Sequence, residues 1–122
     1  MPETISLPPA AQQLFMQLQT FQQQYQAIVL QKETMGMQKI ETEKALEELA
    51  KVGDKEEVYK AVGPILVKST KSVLVSELKE KKETGDLRAK SLETQEKKLK
   101  EKLEEIQGKL QSLLVSQQKK AA

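Results

Sequence analysis

Two apolar heptad patterns of nearly equal length flank one short β-type segment, Val58-Tyr-Lys-Ala-Val-Gly-Pro-Ile-Leu-Val-Lys-Ser69, close to the middle of the 122-residue chain. A reversal at the midpoint sends the second stretch back along the first, so two seams of matching length can bury each other. The expected fold is mainly α, a long antiparallel two-helix coiled coil with a central β-hairpin. Residues 1–122 read as a single domain, with helix over about 9–52, hairpin over 57–70 and helix over 75–118.

In the first stretch, steps of four and three from Leu14 give Leu14, Leu18, Phe21, Tyr25, Ile28, Lys32, Met35, Lys39, Thr42, Leu46 and Leu49. Eight of these eleven are apolar, which fits a coiled-coil seam and not a strand. Pro9 suits the first helical turn, where a missing N–H loses no bond, and Gly53 suits a stop. In the second stretch the seam is Val75, Leu78, Lys82, Gly85, Ala89, Leu92, Glu96, Leu99, Leu103, Ile106, Leu110 and Leu113, nine of twelve apolar. Ser72 or Ser76 could cap its start. Gly36 is a weak point, costing about 1 kcal/mol relative to Ala, and Gly85 removes a knob from the seam and invites local bending. The heptad phase is the same on both sides of Gly85, which predicts one continuous helix. Each stretch of roughly 44 residues would reach about 65 Å.

The central segment cannot stand alone. Val58, Tyr59, Val62, Ile65, Leu66 and Val67 are strand formers, and Gly63-Pro64 reads as a turn. Glycine can take a positive φ and proline fixes the next φ near −65°, which suits a type II′-like turn and not type I′. An isolated two-stranded hairpin is marginal in water. These six residues are therefore expected to form an oligomer interface with hairpins of other subunits.

Charge separates the two stretches into different regions. No charged residue occurs from Thr4 to Gln31, where nine Gln alternate with apolar residues; Gln107 to Gln118 carries only Lys109. By contrast, 18 of the 29 residues from Glu77 to Glu105 are charged. Leu14, Phe15, Met16, Leu18, Leu110, Leu113, Leu114 and Val115 then gather at one uncharged end. Phe15, Met16, Leu114 and Val115 exceed what a two-helix seam needs, and an adaptable apolar surface of this kind suits weak, unspecific capture of apolar polypeptide.

Other function classes find little support. The chain has no His and no Cys, so the commonest general base, thiolate metal sites and disulfides are all missing. No Gly-rich phosphate loop is present, and the Glu/Lys pairs fall at the i,i+4 spacings of solvated helix faces. Neither an enzyme nor a cofactor or metal site is expected. Lys97, Lys98 and Lys100 are offset by Glu93, Glu96, Glu101, Glu104 and Glu105, leaving no basic field for nucleic acid. No stretch approaches the roughly 18 apolar residues of a membrane span, so a cytoplasmic protein without membrane contact is expected. The competing expectation is a structural coiled-coil adaptor for one specific partner protein.

Lys44-Ala-Leu-Glu-Glu-Leu49, Glu57-Val-Tyr-Lys60 and Gly63-Pro-Ile-Leu-Val-Lys68, followed by Glu77-Leu-Lys-Glu-Lys81, resemble the prefoldin family, in particular its beta-class subunits. The likeness runs over essentially the whole chain, and the single hairpin matches the beta class; Gly85 departs from the bulkier seam residue expected there. The resemblance implies a hexameric co-chaperone of two alpha-class and four beta-class subunits whose hairpins join an intersubunit β-barrel. It implies that the coiled-coil tips hold unfolded polypeptides, without ATP, for delivery to a group II chaperonin. The six hairpin residues would belong to the assembly interface and the eight end residues to the client site.

Overall fold

The structure, a computed structural model, describes residues 7–121, with side chains described for residues 7–116. Residues 1–6 and 122 of the expected domain lie outside that range. Four elements follow in order: α1 (Pro9–Ala50), β1 (Val58–Val62), β2 (Ile65–Ser69) and α2 (Lys71–Ala121).

The helix starts follow from local chemistry. Pro8 carbonyl accepts from the Gln12 N–H at 3.0 Å, placing Pro9 at the first helical position as its fixed φ favours. The α2 start differs from expectation: it begins at Lys71, four residues before Val75. Thr70 is the cap, and neither Ser72 nor Ser76. Its carbonyl accepts from the Leu74 N–H at 3.0 Å and its hydroxyl from the Val73 N–H at 3.3 Å. At its other end α1 stops at Ala50, two residues before Val52. Lys51 and Val52 N–H groups donate to the Glu48 and Leu49 carbonyls, both at 3.2 Å, in a tightened last turn. Both helices run unbroken through Gly36 and Gly85.

The hairpin joins antiparallel strands in the register Val58↔Ser69, Tyr59↔Lys68, Lys60↔Val67, Ala61↔Leu66 and Val62↔Ile65. Its two-residue turn is Gly63-Pro64, with Gly63 at φ 57°. A type I′ turn needs positive φ at both central residues, which proline forbids, so the turn belongs to the II′ kind.

The chain forms two compact units, Met1–Leu30 with Glu93–Ala122, and Gln31–Leu92. In the first, Ala11, Ile28, Leu99, Ile106 and Leu110 are buried along the helix–helix seam. Lys102 adds its ammonium over the Phe21 ring, 5.3 Å from the centroid. In the second, Leu74, Leu92 and Val58 are buried, and Thr42 with them. Thr42 meets the demand of burial by donating its hydroxyl to the Gln38 carbonyl at 2.8 Å. Lys39 pairs with Asp86 at 3.5 Å and Lys82 with Glu43 at 3.6 Å, so numbers rise on one helix as they fall on the other, the signature of antiparallel pairing. The expected seam matches burial closely. Lys39 is the one exposed member on α1, and all twelve α2 positions are buried or half-buried.

Candidate functional site

Two regions stand out for apolar surface that their own unit does not cover. The hairpin is the first. Opposed residues of an antiparallel pair share a face, so Val58, Lys60, Val62, Ile65, Val67 and Ser69 lie on one side and Tyr59, Ala61, Leu66 and Lys68 on the other. The base of the first face is anchored: Val58 is buried and Lys60 reaches Glu77 of α2 at 2.9 Å. Beyond that base the apolar side chains are open on both faces, with Val62, Ile65 and Val67 on one and Tyr59 and Leu66 (73% exposed) on the other.

Backbone groups are open too. With Val62 opposite Ile65 across the two-residue turn, alternation pairs residues 58, 60 and 62 of β1 with 69, 67 and 65 of β2. The N–H and C=O groups of Tyr59 and Ala61 then face outward along one edge, and those of Leu66 and Lys68 along the other. Each edge is a template for another strand.

A carboxylate steadies the second face. Glu57 accepts from Lys68 at 3.1 Å and from the Tyr59 hydroxyl at 2.9 Å. The Lys68 and Tyr59 hydrogen bonds hold the Glu57 carboxyl below its usual range. Because Tyr59 and Lys68 are directly opposed, one side chain clamps a cross-strand pair.

Beneath the hairpin, Lys71 makes a contact that the heptad pattern does not contain. It is the first residue of α2, where a cation opposes the helix dipole. Its ammonium turns back to donate to the Val52 carbonyl at 2.7 Å, just past the end of α1, where a cation is favoured. Asp54 lies 3.5 Å from the same ammonium. The reversal of the chain at residues 51–70 brings these groups together.

The second region lies in the other unit, on the uncharged helix ends. Of the eight residues expected to hold apolar polypeptide, Phe15, Met16, Leu114 and Val115 are exposed, Met16 most of all at 69%. The other four serve the seam: Leu14, Leu18 and Leu113 are half-buried and Leu110 is buried. A step of about 100° per residue explains the split, since neighbours of a seam residue point away from the partner helix. Likewise Val58 differs from the other five hairpin residues, being packed within the chain.

Among the described residues no group of three or more acidic, His or Cys side chains could hold a metal. No helix there is long and apolar enough to cross a membrane.

A family model described as "Prefoldin subunit" matches residues 12–117. The chain belongs to the prefoldin subunit family. Similar proteins include prefoldin subunit beta of Archaeoglobus fulgidus, 52% identical over 111 residues that make up 91% of this chain and 96% of that one. Prefoldin subunit beta of Thermococcus kodakarensis is 46% identical over 109 residues, 89% of this chain and 93% of the relative. Among solved structures, the prefoldin beta subunit from Thermococcus strain KS-1 superposes with a TM-score of 0.76 at 45% identity, over 89% of this chain and 96% of that one. The two long helices and single hairpin are thus the architecture of a prefoldin beta subunit.

Proposed function

We infer that this chain is the beta-class subunit of a cytoplasmic prefoldin, a holdase that captures unfolded polypeptides without ATP and delivers them to a group II chaperonin. In this reading two alpha-class and four beta-class subunits build the hexamer, each chain contributing one domain. The hairpin adds its strands to an intersubunit β-barrel through Tyr59, Val62, Ile65, Leu66 and Val67. Val58 supports that interface from within the chain. Phe15, Met16, Leu114 and Val115 supply the surface that holds the client, with the half-buried Leu14, Leu18 and Leu113 beneath them. No catalytic chemistry takes part.

The observation that carries this reading is the hairpin, apolar on both faces and open on both edges, in a chain of the prefoldin subunit family. A two-stranded ribbon with such faces gains stability only by adding strands and burying both sides. The uncharged helix ends support the holding function, because soft apolar side chains among Gln impose no charge pattern on a partner.

The test is suppression of aggregation. The chain assembled with an alpha-class subunit is expected to slow aggregation of several unrelated denatured proteins without ATP. Removing Met1–Phe15 together with Leu113–Ala122 is expected to leave the assembly intact and abolish suppression. Suppression of no client overturns the holdase reading, and a stoichiometric complex with a single defined protein would point to an adaptor instead.

A further inference from the structure

The chain has no Cys, so its four methionines carry all of its sulfur. Met16, Met35 and Met37 fall within the described residues, and each stands in a different environment. Met35 occupies a seam position of the 31–92 unit and is half-buried. Met37, in the same unit, lies off the seam and is 66% exposed. Met16 belongs to the other unit, follows Phe15 on the uncharged helix ends and is 69% exposed. It is the one thioether among the eight residues expected to serve the client.

A thioether is apolar and adaptable, and it is also a side chain that takes an oxygen atom directly from a peroxide. The sulfur lone pair attacks one peroxide oxygen and the O–O bond breaks. The displaced hydroxide takes the proton of the new S–OH group and leaves as water. Thioether and hydrogen peroxide thus become sulfoxide and water, the sulfur losing two electrons and the peroxide gaining them. The product is polar, and pressing it against apolar side chains strips it of water. Gln13 and Gln19, three residues to either side on the same helix face, are exposed amides placed to donate to its oxygen. The Thr20 hydroxyl is already committed to the Met16 carbonyl at 3.0 Å.

Position decides the consequence. The exposure that lets Met16 touch a client also admits the oxidant. Because Met16 falls between the seam residues Leu14 and Leu18 and points away from the partner helix, an added oxygen leaves the helix pairing intact. We propose that Met16 is an oxidative modification site, at which peroxide reversibly lowers capture by the helix ends without loosening the fold. The proposal rests on the reading of the chain as a holder of unfolded polypeptide.

The test uses the complex assembled with an alpha-class subunit. It is treated with hydrogen peroxide, quenched with catalase, and titrated with fluorescently labelled, carboxymethylated lactalbumin as a permanently unfolded probe. Peptide mass spectrometry reads oxidation at each methionine. Met16 is expected to gain oxygen about as fast as Met37 and faster than Met35. Probe affinity is expected to fall about tenfold in step with Met16 oxidation, the loss of one buried apolar side chain, while circular dichroism stays unchanged. Methionine sulfoxide reductases acting with dithiothreitol should restore it. Met16→Leu keeps an apolar side chain without sulfur and is expected to bind the probe normally and to resist peroxide; Met37→Leu should lose affinity as the unsubstituted complex does. Met16→Ile provides the same test should Met16→Leu fail to assemble. The proposal is overturned if affinity survives full oxidation of Met16, or if the assembled Met16 variant remains as sensitive to peroxide as the unsubstituted complex. Failure of the untreated complex to bind any unfolded probe is a separate result, which removes the holding function itself and the proposal with it.

Discussion

Replacing Lys71 with Met keeps the aliphatic stem and removes the ammonium, which isolates the contact joining the two helices under the hairpin. The side chain is only 21% exposed, and its bond to the Val52 carbonyl is short at 2.7 Å. A hydrogen bond to a charged group contributes about 1.5–3 kcal/mol. Favourable placement at the end of α1 adds about 0.3–1 kcal/mol, and unfavourable placement at the start of α2 subtracts a similar amount. Asp54 adds almost nothing, because its carboxylate is 94% exposed. The dipole contributions cancel, leaving a loss of about 2 kcal/mol for Lys71→Met. With a urea slope of about 2 kcal/mol per molar, the midpoint followed by far-ultraviolet circular dichroism should fall by about 1 M. Asp54→Asn should leave it within about 0.2 M. An unchanged midpoint in Lys71→Met, or an equal fall in Asp54→Asn, refutes the assignment of the contact to the carbonyl.

Three further predictions concern the hairpin. The depressed Glu57 carboxyl favours the folded clamp above its unfolded value of 4.5, and that contribution disappears as the pH falls through the lower folded value. Acid titration followed by Tyr59 and Lys68 amide resonances should therefore show loosening below about pH 4.5, and Glu57→Gln should remove this dependence. Ile65→Glu should block assembly while leaving the chain helical, read by size-exclusion chromatography and circular dichroism, because Ile65 is exposed in the chain. Val58→Asp should instead lower the stability of the chain itself by about 2–4 kcal/mol, measured in urea, because that side chain is buried.

The helices were legible because their information is local and repetitive. A four-three spacing identifies a seam whatever lies at its ends, and it takes in Lys32 and Lys82, both half-buried in the fold. The turn was legible for a similar reason, since glycine followed by proline excludes most alternatives. What escaped depends on groups that only the folded chain brings together. Nothing near Lys71 in the sequence identifies Val52 carbonyl as its partner, 19 residues away. Nor does Glu57 reveal its clamp until the register sets Tyr59 opposite Lys68. At the uncharged ends the same spacing separates Leu110, on the seam and buried, from Phe15, Met16, Leu114 and Val115, which fall beside it and are exposed. The Thr70 cap is within reach of the sequence, because a Thr directly ahead of the run Lys71-Ser-Val-Leu74 is an ordinary cap signal.

In the proposed function the hairpin assembles the complex and the helix ends hold the client. Site-specific photocrosslinking in the assembled complex tests it most directly. A photoreactive phenylalanine analogue at Met16 or Leu114 should crosslink to a denatured client, whereas one at Leu66 should crosslink to neighbouring subunits. Client crosslinks concentrated at Leu66, with none at Met16 or Leu114, would contradict the account.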